Sequence, residues 1–186
     1  MYYDSYNKLF WGMFLVVFNF NIGFFDILPN FVGYMLILSA LINLEEQNPI
    51  FKRGKIPASI LIVISLIELF KPKNVNLLEG QFGDASIWIM ILSSASVLIS
   101  LYMYYIICKG IFLVSESRGE EQLKENARDR YRFYFILNVI FIFYMPFSLN
   151  MPKDVAGFMF IPLILNIVAA LLLMGLFRKS KELIKD

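Results

Sequence analysis

The sequence contains no histidine and only one cysteine among its 186 residues. A disulfide within the chain is impossible, and imidazole zinc sites, imidazole acid–base catalysis and Cys–His dyads are excluded. Net charge at pH 7 is only +2, which argues against nucleic acid as a partner. Phosphate-loop, nucleophile-elbow, zinc-helix and dinucleotide motifs are missing too. We therefore expect no enzymatic activity and no cofactor.

Apolar residues are abundant instead. They make up 59% of the chain, with 19 Phe and 10 Tyr, and mean hydropathy is +0.65. Soluble domains are about 45–50% apolar, and a small globule has too little interior to hide more. We expect lipid to cover the surplus, which predicts one integral membrane domain over residues 1–186. The Lys, Asn, Ile and Phe bias suits a bacterial source.

The first apolar run extends from Leu9 to Leu44 and contains one charged residue, Asp26. As a single helix it would be about 54 Å long, whereas the hydrocarbon core of a bilayer is about 30 Å thick. Two spans joined by a turn fit better. Asp26 is predicted to cap the second helix at the membrane surface, just ahead of Pro29, which suits a first helical turn.

The same reasoning along the chain predicts an all-α, polytopic transmembrane helix bundle with six spans. The segment 115–132 is expected to be a solvated helix leading into the fifth span, with Ser117 and Glu120 as a capping box. A likeness between residues 29–37 and 152–161 suggests that hairpins 1–2 and 5–6 are repeats, or a chance similarity of two helix starts. The predicted spans are about 9–25, 27–44, 56–70, 85–108, 133–149 and 155–177.

Loop charge sets the orientation, because Lys and Arg concentrate on the cytoplasmic side. With both termini inside, only Lys71, Lys73 and Lys153 of the 17 basic residues fall outside. This predicts an N-in/C-in protein of the bacterial cytoplasmic membrane, with Asp26 near the outer face. Expected partners are the lipid bilayer and either another membrane protein or a second copy of the chain.

Small and polar residues in the first span share one helix face. Gly12, Asn19, Gly23 and Asp26 fall within about 60° of one another at 100° per residue. Polar groups in lipid normally face protein or a water-filled cavity. The stripe is therefore either the lining of a substrate path or a helix-packing seam, and we favour the seam.

Carboxylates mark the outer ends of other predicted spans. Glu68 closes the third span, where it can pair with Lys71 at i,i+3, and Asp154 precedes the sixth. A sharper hypothesis brings Asp26, Glu68 and Asp154 together as an outer site for a cation or a cationic substrate. The sequence alone does not decide between these alternatives.

Amides and hydroxyls also lie within the predicted spans. We expect Asn138 and Asn166 to bond between helices rather than to bind a ligand. Ser86, Ser93 and Ser100 repeat every seven residues in the fourth span, which favours a close-packing seam over a hydroxyl-lined pore.

The segment FDILPNFVGYMLI resembles one that follows the first span in uncharacterised small multi-span membrane proteins of Gram-positive bacteria. The resemblance is carried mainly by Asp26, Pro29, Asn30, Gly33 and Tyr34 together with Phe31, and it implies a fold but no activity. Asn30 joins the candidate polar residues.

A looser likeness, in span number and length, is to the substrate-binding membrane components of energy-coupling-factor vitamin transporters. The favoured function is a non-enzymatic accessory, immunity or assembly partner. The alternatives are a transport component that binds a small molecule near its outer face and, third, a membrane enzyme. A filled interior would favour the first, and an outward pocket with convergent polar groups the second.

Overall fold

The computed structural model describes residues 2–18, 21–22, 25–26, 30–69, 85–148 and 160–184. Within these ranges the protein is all-helical except for one pair of two-residue strands, which confirms the predicted all-α class. The elements are α1 Tyr2–Val17, β1 Asn21–Ile22, β2 Phe25–Asp26, α2 Asn30–Leu44, a 3₁₀ helix Pro49–Gly54, α3 Lys55–Leu69, α4 Ala85–Ser117, α5 Glu121–Ser148 and α6 Phe160–Leu183.

The first predicted span differs most from the structure. Helix α1 begins at Tyr2 and ends at Val17. Residues 21–22 then pair with residues 25–26 as an antiparallel ladder, so the prediction of a helix to residue 25 is wrong there. Apolar residues satisfy a strand as well as a helix, which is why hydropathy alone missed the change.

The six helices form a closed ring in chain order. Each α-helix packs against the next, and α6 returns to pack against α1. The 3₁₀ helix between α2 and α3 packs against α4. Side chains from all six helices meet in one buried core.

Two facing glycines bring the backbones of α1 and α2 into close contact. A Cβ atom on Gly12 would lie 2.7 Å from the carbonyl oxygen of Gly33, and a Cβ on Gly33 would lie 2.7 Å from that of Gly12. At these two positions any side chain would force the backbones apart. At Gly12, therefore, the predicted stripe is a packing contact.

The 3₁₀ helix packs against α4 through the ring of Phe51. Asn48 caps it by accepting a hydrogen bond from the backbone N–H of Ile50 at 3.1 Å, and Pro49 suits its first position. Phe51 is fully buried and its ring contacts Gly110, where a Cβ would lie 2.3 Å from the nearest ring carbon atoms. A short polar connection thus carries a core side chain.

The α4–α5 connection differs from its prediction. Helix α4 continues to Ser117, whose hydroxyl donates to the carbonyl oxygen of Val114 at 2.8 Å, so the capping box is wrong. Gly119 turns the chain with φ +73°, a conformation that glycine adopts without steric cost. Helix α5 then runs unbroken from Glu121 to Ser148, so the polar segment and the apolar run that follows it form one helix, while the fifth span stays a prediction.

The start of α1, the 3₁₀ helix, the α4–α5 turn and the end of α6 form one end of the ring, which we call the charged end. The following contacts between α1 and its neighbours lie there. The Tyr6 hydroxyl donates to Gln47 Oε1 at 2.7 Å, and burial raises the pKa of Tyr6, so this donor stays protonated. Lys181 on α6 donates to Asn7 Oδ1 at 3.0 Å and lies 4.4 Å from the ring centroid of Tyr3. The first and last helices close the ring through these contacts.

The outer surface of the ring is apolar on several helices. On α3 the exposed residues Ile56, Ile60, Val63 and Ile67 share one face at helical spacing. Among the described residues, one segment, Ile91–Ser117, is long and apolar enough to cross a membrane, and the apolar helix Asn30–Leu44 is shorter.

Candidate functional site

Two asparagines meet inside the ring, one from α5 and one from α6. The Asn138 Nδ2 group donates to Asn166 Oδ1 at 3.3 Å and to the carbonyl oxygen of Tyr134, one turn earlier, at 2.8 Å. Asn138 is buried, because it lies one helical turn after Tyr134 on the face of α5 that points toward the ring interior. The pair is an inter-helix bond of the kind expected from the sequence.

A tyrosine pair continues this polar region toward α4. The rings of Tyr104 and Tyr134 pack edge to face with centroids 5.5 Å apart, a favourable geometry for aromatic quadrupoles. Tyr104 is 1% exposed, and its hydroxyl has no hydrogen-bond partner in the part of the chain that the structure describes. We call Tyr104, Tyr134, Asn138 and Asn166 the amide–tyrosine cluster.

A cavity of about 220 Å³ opens beside this cluster. Its polar lining comes from Tyr134, Asn138 and Asn166, and its apolar wall from four helices, with Val17, Val97, Phe141, Ile167 and Ala170. Small-molecule pockets are usually about 300–1,000 Å³. The cavity therefore suits ordered water or a small uncharged ligand.

The chemistry available to the cluster is hydrogen bonding. Amides do not titrate, and each carries both donor and acceptor atoms, which suits an uncharged polar group. An unpaired buried hydroxyl such as that of Tyr104 costs about 1–3 kcal/mol, which a bound water or ligand oxygen would recover. Over the described residues, no group of three or more His, Cys, Asp or Glu side chains could hold a metal ion.

Most of the remaining predicted site residues lie outside the part of the chain whose side chains the structure describes. Asn19 and Asp154 lie outside the described residues, and for Asp26 and Glu68 only the backbone is described. The outer carboxylate site, the Glu68–Lys71 pair and the cap by Asp26 therefore stay predictions. Asn30 begins α2, and its Oδ1 atom is buried without a partner in the described part of the chain.

Ser100 of the predicted α4 seam and the nearby Ser96 form hydrogen bonds within their own helix. The hydroxyl of Ser96 donates to Leu92 O at 2.9 Å, and that of Ser100 donates to Val97 O at 2.8 Å. These hydroxyls are satisfied locally, which is the usual solution for serine in an apolar helix.

Sequence reasoning missed the tyrosines of the cluster. Tyr104 lies in the segment LYMYY, where three tyrosines alternate with apolar residues, and nothing in that pattern tells which ring faces inward. A polar residue inside an apolar run was the only usable signal, and it identified the two asparagines.

Comparison of the chain with protein-family models, with curated proteins and with solved structures gives no match.

Proposed function

We propose that the chain is a six-span protein of the bacterial cytoplasmic membrane, with both termini in the cytoplasm. It acts without catalysis, as an accessory, immunity or assembly partner of another membrane protein or of a second copy of itself. The observation that carries the membrane assignment is the distribution of exposed apolar side chains around the ring.

Exposed apolar residues line whole helix faces. On α5, Phe133, Ile136, Ile140 and Phe143 recur at helical spacing, and Phe143 is 70% exposed. A second set lies on α6 at Ile161, Ile164, Leu165, Val168, Leu171 and Leu172. Monomeric soluble proteins rarely expose continuous apolar patches of this kind, whereas lipid covers them at no cost.

The interior supports a role in assembly. Toward the charged end the ring is filled by fully buried side chains, among them Leu41, Phe51, Ile107, Ile111 and Phe177. Among the described residues, this packing leaves no wide path for a solute through the charged end of the ring. The exposed apolar helix faces are then the surfaces through which a membrane partner is contacted.

Purification in a mild detergent tests this function. We expect a complex of fixed stoichiometry, with a protein mass above the 21.7 kDa of one chain by light scattering. Single charged substitutions on the exposed faces, such as Ile140→Arg and Ile164→Arg, should break it, whereas Gln122→Arg, in the polar part of α5, should not. A monomer in every detergent and in nanodiscs would contradict the proposal.

A transport component is the second candidate, and the cavity beside the amide–tyrosine cluster favours it. Its polar groups, from Tyr134, Asn138 and Asn166, converge from two helices. In that case a small uncharged solute stabilises the wild type, and Asn166→Leu abolishes this stabilisation. A survey of solutes by thermal shift, with Asn126→Leu as control, separates the two functions.

A further inference from the structure

A second cavity, of about 290 Å³, lies between α4 and α5 near the charged end of the ring. Sequence analysis does not identify this cavity, because its cations come from two helices that meet only in the folded chain. We call it the basic groove. It is lined by three cationic side chains (Lys109, Arg128 and Arg132), three aromatic ones (Tyr105, Phe112 and Tyr131), and Cys108 and Ala127.

The cations of the basic groove are poorly neutralised. Lys109 Nζ lies 4.5 Å from the ring centroid of Phe112, a cation–π contact that leaves its charge in place. Among the described residues, neither Lys109 nor Arg132 pairs with a carboxylate. Arg128 Nε contacts Asp129 Oδ1 at 3.2 Å, and an exposed pair of this kind is weak.

Two acidic residues beside the α4–α5 turn, Glu116 and Glu121, pair with Lys124. Lys124 Nζ lies 3.2 Å from Glu116 Oε1 and 3.2 Å from Glu121 Oε2. Its hydrogen bonds to Glu116 and Glu121 raise the pKa of Lys124, so it stays protonated. Lys124 Nζ also lies 5.5 Å from the ring centroid of Phe112, so the ion-paired Lys124 borders the groove without adding a free cation.

An aromatic ladder leads from the groove onto the apolar surface. The rings of Tyr105 and Tyr131 have centroids 5.5 Å apart, and those of Tyr131 and Phe135 lie 6.0 Å apart. Burial raises the pKa of Tyr131 to about 12, so the Tyr131 hydroxyl stays uncharged. Phe135, the last ring of the ladder, is exposed, and so is the neighbouring Ile136. The surface thus changes from cationic to apolar within about two helical turns.

We propose that the basic groove binds the phosphodiester headgroup of an acidic phospholipid, whose acyl chains lie along the aromatic ladder. The proposal rests on the membrane placement argued above, which puts this end of the ring at the cytoplasmic leaflet. Basic pockets at this depth suit anionic headgroups. A zwitterionic lipid carries an ammonium group that the same cations repel, and free phosphate lacks an apolar part for the ladder to cover.

Thermal titration of the purified full-length protein tests the site. The probes are dioleoylphosphatidylglycerol, dioleoylphosphatidylcholine and inorganic phosphate, each added to the protein in detergent. The groove variant is K109Q/R128Q/R132Q. The control K52Q/R178Q/K179Q removes the same charge from exposed positions at the same end of the ring.

We expect phosphatidylglycerol to raise the melting temperature of the wild type and of the control above its value in phosphatidylcholine. The groove variant should bind phosphatidylglycerol at least about tenfold more weakly, since each cation near an anionic headgroup contributes to affinity. An unchanged response of the groove variant, or an equal loss in the control, overturns the proposal. So does equal stabilisation by inorganic phosphate, which would assign the groove to a free anion.

Two further measurements separate a loss of lipid binding from misfolding, and a failure of the groove proposal from a failure of the membrane placement. If the groove variant does not fold, as judged by helix content, Arg132→Gln should lose the lipid response and Arg132→Lys should retain most of it; equal responses overturn the proposal. Retention of the wild type in carbonate-washed membranes is scored separately. A protein that stays in the membrane without lipid selectivity contradicts only the groove, whereas a protein released by the wash contradicts the proposed function.

Discussion

At the scale of single residues, Gly12 and Gly33 are the positions where a side chain would meet the backbone of a neighbouring helix. Each would place a Cβ 2.7 Å from the other's carbonyl oxygen, and a backbone atom cannot turn aside as a side chain can. Gly175 makes a useful contrast. Its Cβ would meet only the flexible end of Arg130 at 3.1 Å.

We therefore expect Gly12→Ala to lower the free energy of unfolding by about 1–3 kcal/mol, the usual cost of overpacking a close contact. Gly175→Ala gains the same helix propensity and should change stability little. Thermal melts in one detergent compare them. Equal melting temperatures for the two variants would show that the α1–α2 crossing is looser than the structure indicates.

The Asn138–Asn166 bond gives a second residue-scale test. Asn138→Leu leaves the Asn166 amide without its partner, and we expect a loss of about 0.5–2 kcal/mol. The double variant Asn138→Leu/Asn166→Leu removes both polar groups and should recover most of that loss. Losses that simply add in a double-mutant cycle would mean that the two amides do not interact.

At the scale of elements, the sequence predicted helices better than it predicted their ends. Helix α3, Lys55–Leu69, matches the predicted span 56–70 because charged residues bound that apolar run on both sides. Helix α4 extends to Ser117, nine residues past the predicted span. Hydropathy places the end of an apolar run, whereas the helix continues past that run until the turn at Gly119.

The 3₁₀ helix depends on Phe51, and this element can be tested by itself. Phe51→Ala empties the fully buried site against Gly110, so we expect a loss of about 3–5 kcal/mol. Phe133→Ala removes the same ring from a partly exposed position on α5 and should cost far less. Chemical unfolding of both variants in detergent measures the difference. Similar losses would contradict the claim that Phe51 anchors the 3₁₀ helix to α4.

At the scale of the whole molecule, the ring gathers the charged segments at one end. The start of α1, the 3₁₀ helix, the α4–α5 turn and the end of α6 meet there through contacts such as Tyr6 with Gln47 and Lys181 with Asn7. Charge counts along the sequence predicted this grouping. They could not predict the basic groove or the amide–tyrosine cluster, because both depend on which faces of α4, α5 and α6 pack together.

The central claim is a six-span membrane protein with a cytoplasmic charged end, and labelling from one side of the membrane tests it most directly. In a Cys108→Ser background, single cysteines replace Gln122, at the start of α5, and Asn76, in the predicted outer loop beyond the described residues. A membrane-impermeant maleimide is added to intact cells. The account predicts that the cysteine at 76 is labelled and that at 122 only after lysis. Labelling at 122 but not at 76 in intact cells would contradict it.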